Sequence, residues 1–186
     1  QRLNVSGWAA VNNAFSTSFA GFEASKSLCS TSHVGLDGVT RANRPSVDIG
    51  LSVTAIQGAT TRFMNMTNER NLPLMLSPDV LVLNPAQRFT AREILGSSGA
   101  PYKADNEINS LVQEDLRYII TRYKTSTTSW LMLAKKGQHD LNFFYRDRPM
   151  YDSWDDPTTK NAVFAVYQRH TDSEYGSWKG TDGSTG

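Results

Sequence analysis

Cysteine is almost missing: Cys29 stands alone among 186 residues. No intrachain disulfide can form, and no cysteine-rich zinc site can be assembled. A lone thiol suits a reducing cytoplasm. No apolar run approaches the ~20 residues that a membrane span needs. The polar opening Gln1-Arg2-Leu3-Asn4 has no secretory signal, so the sequons Asn4-Val5-Ser6 and Asn65-Met66-Thr67 read as chance matches. The chain opens inside sequence that looks structured, and an amino-terminal portion is expected ahead of it. An excess of one charge is missing too. The chain has 19 Lys+Arg against 18 Asp+Glu, a net of +1, whereas a nucleic-acid groove normally shows as a strongly basic domain. Arg41, Arg44 and Arg62 fall in one region and allow a local basic patch, with solvated arginines the plainer expectation.

Catalytic patterns are equally scarce. There is no GxGxxG, no P-loop and no GxSxG. The histidines His33, His139 and His170 are far apart in sequence. Cys29 and His33 stand four apart, which on a helix would put a thiol and an imidazole on one face, as nucleophilic catalysis requires. Ser30-Thr31-Ser32 between them is turn-like and no third group is evident, which favours a buried small cysteine and a structural histidine. Asp152, Asp155 and Asp156 suggest a carboxylate metal site, but the central Gly and distal Glu of a calcium loop are missing. Asp156 precedes Pro157 and is held extended, so a solvated turn between strands is expected. His139-Asp140 and His170-Thr171-Asp172 sit at strand ends, and Glu93 and Glu114-Asp115 lack a partner for paired-carboxylate work. The expectation is a protein with no catalytic, cofactor or metal site.

What is present is architecture. The 39% hydrophobic and 10% aromatic content supports one sizeable core, or two small lobes sharing one. Trp8, Val11, Phe15 and Phe19 recur at helical spacing over roughly the first 18 residues, with Gly21 a plausible end. Residues 25–44 are rich in Ser, Gly and Asn and read as a long surface connection. Ser52 caps a second helix through Val53, Ile56, Phe63 and Met66. From Glu69 to Leu95 the chain spells a strand–turn–helix unit. Leu72-Pro73-Leu74-Met75 is extended, Ser77-Pro78-Asp79 turns, and Val80-Leu81-Val82-Leu83 is a short apolar strand. Asn84-Pro85-Ala86-Gln87 then supplies an N-cap, a first-turn proline and a glutamine three residues after the cap. Ala86, Phe89, Ile94 and Leu95 give that helix its apolar side, and Gly96 closes it. Ser97 to Pro101 is a loop.

After Asn106 the period changes to two. Leu116, Tyr118 and Ile120 alternate with Arg117 and Ile119, Trp130 to Ala134 follows the polar 125–129 break, and Leu141, Phe143 and Tyr145 alternate in turn. Val163 to Tyr167 makes a further strand, and Gly180 to Gly186 reads as a flexible end. A helix-rich first half and strand-rich second half predict an α+β protein with an antiparallel sheet. Phe143, Phe144, Tyr145, Phe164, Tyr167 and Trp178, interleaved with Arg146, Arg148 and Arg169, allow an aromatic ligand-binding surface, but strand periodicity favours core. Arg146, Arg148, Asp152, Asp155 and Asp156 suit salt bridges within one chain or between copies, and are the candidate subunit contacts.

In this order the segments resemble the Mu-type major head proteins of tailed bacteriophages, which have the Hong Kong ninety-seven capsid fold. Four segments carry the resemblance: Phe15 to His33; Asp48 to Leu83; Asn84-Pro85-Ala86 to Leu95; and the closing set Trp130 to Leu133, Phe143 to Arg146 and Gly176 to Gly180. Asn68-Glu69-Arg70-Asn71 departs mildly from the family's Asp-rich pair before its Gly-Leu-Pro step. The resemblance implies the end of a P-domain spine helix and its loop over 1–35. It implies mainly A domain over 36–128, and closing strands returning to the P domain over 129–186. It also implies hexamers and pentamers of an icosahedral head around double-stranded DNA, touched nonspecifically. Portal, scaffold or decoration proteins are implied partners, with assembly in the host cytoplasm and residence in the virion. The family's amino-terminal arm and extended hairpin are expected to lie outside these residues. The rival expectations are a small hydrolase-like enzyme using Cys29 and His33, or the aromatic binding module.

Overall fold

The computed structural model describes residues 2–19, 25–99, 107–171 and 174–186. The chain forms α1 (Arg2–Gly7), α2 (Ala9–Asn12), β1 (His33–Val34), β2 (Thr40–Arg41), α3 (Val53–Met64), β3 (Pro78–Leu83) and α4 (Arg88–Gly96). It continues through β4 (Arg117–Ile120), β5 (Trp130–Ala134), β6 (Leu141–Asn142), β7 (Tyr145–Asp155), β8 (Ala162–His170), β9 (Glu174–Tyr175) and β10 (Thr181–Ser184). The class is mixed helix and sheet, as the pattern predicts. The core sits on a four-stranded sheet ordered β10-β5-β3-β4. Its β5 and β10 run antiparallel to their neighbours, but β4 pairs parallel to β3. The sheet is therefore mixed, where an antiparallel one was expected, because α4 makes a crossover between β3 and β4.

Local signals fared well around that sheet. Ser52 caps α3, accepting the Ala55 N–H at 3.2 Å, and Ala55, Ile56, Ala59 and Phe63 form its buried stripe. The Asn84 box forms as expected, with Asn84 Oδ1 accepting from Ala86 N and Gln87 Oε1 from Asn84 N. Pro85–Gln87 is a 3-10 turn that leads directly into α4. Gln87, Ala91 and Ile94, at i, i+4 and i+7, are the buried residues, while Ala86 is exposed and Phe89, ~140° round the helix from Ile94, is 72% exposed.

Other expectations fail where side chains compete with the backbone. The first helix breaks at Trp8 and ends by Asn13, whose amide donates to Ala9 O at 2.9 Å. Asn12 instead clasps the 121–125 segment, donating to Tyr123 O and accepting from Thr125 N. Gly21, Ala100 and Pro101 lie outside the described residues. Leu72 to Met75 is bracketed by positive φ at Asn71 (58°) and Met75 (49°), so only its middle is extended. The expected surface connection at 25–44 is exposed over 34–40 apart from a half-buried Gly35, but it is pinned into the interior by Ser27, Leu28, Cys29, His33 and Asn43, all buried.

The largest correction concerns 180–186. Thr181–Ser184 is a buried strand, bonded along β5 from Thr181↔Leu133 to Ser184↔Trp130. Polar residues can occupy it because each is satisfied. Asn43 Nδ2 donates to Leu28 O and Thr181 Oγ1, Asn43 Oδ1 accepts from Ser30 N, and Gly183 N donates to Asn43 O. Gly183 leaves no room for a side chain, since a Cβ there would stand 2.7 Å from Trp130 O and 3.1 Å from the Phe15 ring. Asp182, wholly buried, takes a two-pronged bond from Arg62 of α3 at 2.7 and 3.0 Å.

Burial pushes the Asp182 carboxyl up to about 7, against the downward pull of Arg62. The folded value lies above the ordinary 3.8. The stability this group contributes is therefore complete below that value and lost as pH rises through about 7. Arg62→Ala removes the only downward influence and strands a carboxylate. It should cost about 3 kcal/mol at pH 8 and much less at pH 5, read by urea unfolding at the two pH values.

Candidate subunit-contact surface

β7 and β8 pair antiparallel from Tyr145↔His170 to Asp155↔Ala162, forming a ribbon closed by the 156–161 turn. Asp156 builds that turn. Its carboxylate accepts from Thr158 N at 2.8 Å and Thr159 Oγ1 at 2.9 Å, while its backbone bonds Lys160 and Asn161. Those bonds, Thr158 N–H first, hold the Asp156 carboxyl below its usual range. No residue from 142 to 170 belongs to the hydrophobic core. Of the aromatics expected in the core, Trp178 is in it, Phe143 is half-buried outside it, and Phe144, Tyr145, Phe164 and Tyr167 are exposed, as are Tyr151 and Trp154 on the same ribbon. Strand periodicity reported the pleat correctly but not what covers it.

Each face of the ribbon carries large apolar side chains and one carboxylate from the strand, Asp155 on the first and Asp152 on the second. Tyr151, Phe164 and Val166 share one face, with Tyr151 stacked on Phe164 at 6.1 Å between ring centres. Met150, Trp154 and Tyr167 share the other, where Tyr167 OH donates to Met150 Sδ at 3.7 Å. The pairing slips between Asp147 and Met150, where Pro149 falls. An isolated two-stranded ribbon is marginally stable in water. Apolar side chains on both faces of such a ribbon mark a surface made to be covered.

All five candidate contact residues lie on this ribbon, but not together. Arg146 and Arg148 are exposed at the end nearest the body, Asp152 and Asp155 toward the turn, and Asp156 in the turn. Arg148 and Asp155 are seven residues apart on one extended strand, or ~23 Å at ~3.3 Å per residue. That separation rules out direct bridging between them within one chain. Among the described residues, the ribbon's ion pair is Arg169–Asp147 at 3.8 Å.

The other candidate sites dissolve into structure. Cys29 is fully buried, and burial pushes its thiol far up, with the Asp182 charge adding to the rise. It is no nucleophile at neutral pH. His33 is buried, stacked on Trp178 at 4.6 Å, with Nε2 3.1 Å from Asn43 Oδ1. The regional arginines are engaged rather than gathered into a patch: Arg41 with Asp37, Arg44 with Asp48, Arg62 with Asp182. A recess of about 330 Å³ beside α3 is lined by Arg41, Arg62 and Trp178, and both its arginines have these carboxylate partners. No group of three or more metal-ligating residues occurs among the described residues.

Sequence reasoning missed Asn43, Asp182 and the buried Lys124, whose ammonium donates to Ser129 Oγ at 2.7 Å and which burial lowers to about 8. Thr-Asp-Gly-Ser has no strand alternation, so no local signal marked it. The Cys29 thiol should resist a thiol-specific chromogenic reagent in native protein and react fully in 6–8 M urea. Rapid native labelling would show the pocket open.

No curated protein matches the chain. Among the described residues, no helix is long and apolar enough to cross a membrane. A family described as phage capsid protein matches residues 4–171, most of the chain. With its exposed ribbon and without an assembled reactive centre among the described residues, the chain belongs to the phage capsid protein family, a structural component of the virion.

Proposed function

We propose that the chain is the repeating tile of a tailed-phage head, of the Mu type and with the Hong Kong ninety-seven fold. The observation that carries the reading is the ribbon, which exposes apolar side chains on both faces outside the core. A tile that engages several neighbours at once needs only modest contacts at each. Closed rotational symmetry repeats each contact around six- and fivefold capsomers. In this reading residues 1–35 end the P-domain spine, 36–128 are mainly A domain, and 129–186 return to the P domain. The lateral contacts include Arg146, Arg148, Asp152, Asp155 and Asp156.

The tile would enclose double-stranded DNA with weak, nonspecific contact, in keeping with a net charge of +1. Portal, scaffold and decoration proteins would be its other partners, and the bacterial cytoplasm its place of assembly. The buried, protonated Cys29 weighs against the hydrolase alternative, and the paired arginines weigh against an anionic ligand in the recess.

Cryo-electron microscopy of the particle that contains this chain is the test. Density for the chain in repeated hexamers and pentamers of a closed shell is the expected result. A discrete monomer or dimer in native material at high concentration would overturn it.

A further inference from the structure

The ribbon is electrically polarised along its length. Near the body, three arginines (Arg146, Arg148 and Arg169) stand against one aspartate, Asp147. Toward the turn, three aspartates (Asp152, Asp155 and Asp156) stand against one lysine, Lys160. Eleven residues of β7 span ~36 Å at ~3.3 Å each. The nearest opposite charges of its two ends, Arg148 and Asp152, are four residues or ~13 Å apart, beyond the ~8 Å over which physiological salt screens charge. The two ends therefore act as separate charges of opposite sign, with an uncovered apolar midsection between them.

A surface of this kind is complementary to itself when reversed. We infer that two copies of this chain pack their ribbons face to face and antiparallel, the acidic turn end of each lying on the basic body end of the other. This rests on the shell reading and names one of its contacts. A twofold arrangement makes both ends favourable at once, and the same patch serves both partners. The Tyr151–Phe164–Val166 face, the more exposed of the two, supplies the apolar centre and carries Asp155, opposite Ala162, whereas Asp152, opposite Ala165, projects from the other face. Edge pairing along β7 is disfavoured because Pro149 has no N–H to donate and the pairing slips beside it. A nucleic acid would be repelled by the acidic end. A second copy satisfies both ends without any further partner.

Charge reversal tests this. One variant, Asp152→Lys with Asp155→Lys, makes both ends basic; another, Arg146→Glu with Arg148→Glu, makes both ends acidic. Asp156 is left alone because it builds the turn. Self-association is read by sedimentation velocity on the full chain, with circular dichroism confirming that each variant keeps the native signal. Each variant alone should associate at least tenfold more weakly than the native chain. An equimolar mixture should recover association through mixed pairs, and so should one chain carrying all four changes. Native-like association by either variant alone, or a mixture that stays apart while the native chain assembles, would overturn the ribbon pairing and leave the shell reading standing. A native chain that stays monomeric at high concentration would overturn both.

Discussion

Everything in the body depends on burying a polar strand. β10 inserts Thr181, Asp182, Gly183 and Ser184 at the side of β5, and all four are buried. Unsatisfied, such groups would each cost ~1–3 kcal/mol. Asn43 answers the backbone and Thr181, Ser184 Oγ accepts from Ile49 N, and Arg62 answers Asp182. These bonds come from the 25–49 segment and from α3. The long loop is thus fixed in place by the strand it completes. Trp178 packs on His33 beside it, so one aromatic pair closes the same joint.

The ribbon obeys different physics. It is held by its own ladder and a few cross-strand contacts, with no share in the core. The body is ordered by internal satisfaction, whereas the ribbon still has surface to lose from water. This division fits the proposed tile, in which the body satisfies its own polar groups and the extension has surface to bury against a neighbour. Burying such an extension stabilises the folded ribbon as well as the assembly, because a partner that binds only the folded form shifts its equilibrium.

Sequence legibility followed the range of the interactions. Ser52 capping α3 and the Asn84–Gln87 box were readable because both partners lie within three residues. The apolar strand at 80–83 was readable because composition alone demands burial. Phe89 misled, because it stands five residues, ~140° of helix, from Ile94 and its ring falls outside. The strand aromatics misled because period two reports a pleat and says nothing of solvent. Thr181 and Asp182 were invisible, because their partners lie more than a hundred residues away and no local pattern encodes them. The five candidate contact residues fall on one ribbon, but their separation along an extended strand was not legible in the sequence.

That last dependence also sets an order in time. The Asn43–Thr181 bond spans 138 residues, and the Arg62–Asp182 pair spans 120. A fold closed by contacts of such sequence separation forms slowly, since loop entropy must be lost before the contacts form. During synthesis, the adhesive ribbon emerges before β10, so it is exposed while the body sheet is still open. In the proposed tile, the ribbon's apolar faces are thus available to a neighbour before the sheet they extend from is closed, and β10 is the last strand that a subunit must dock.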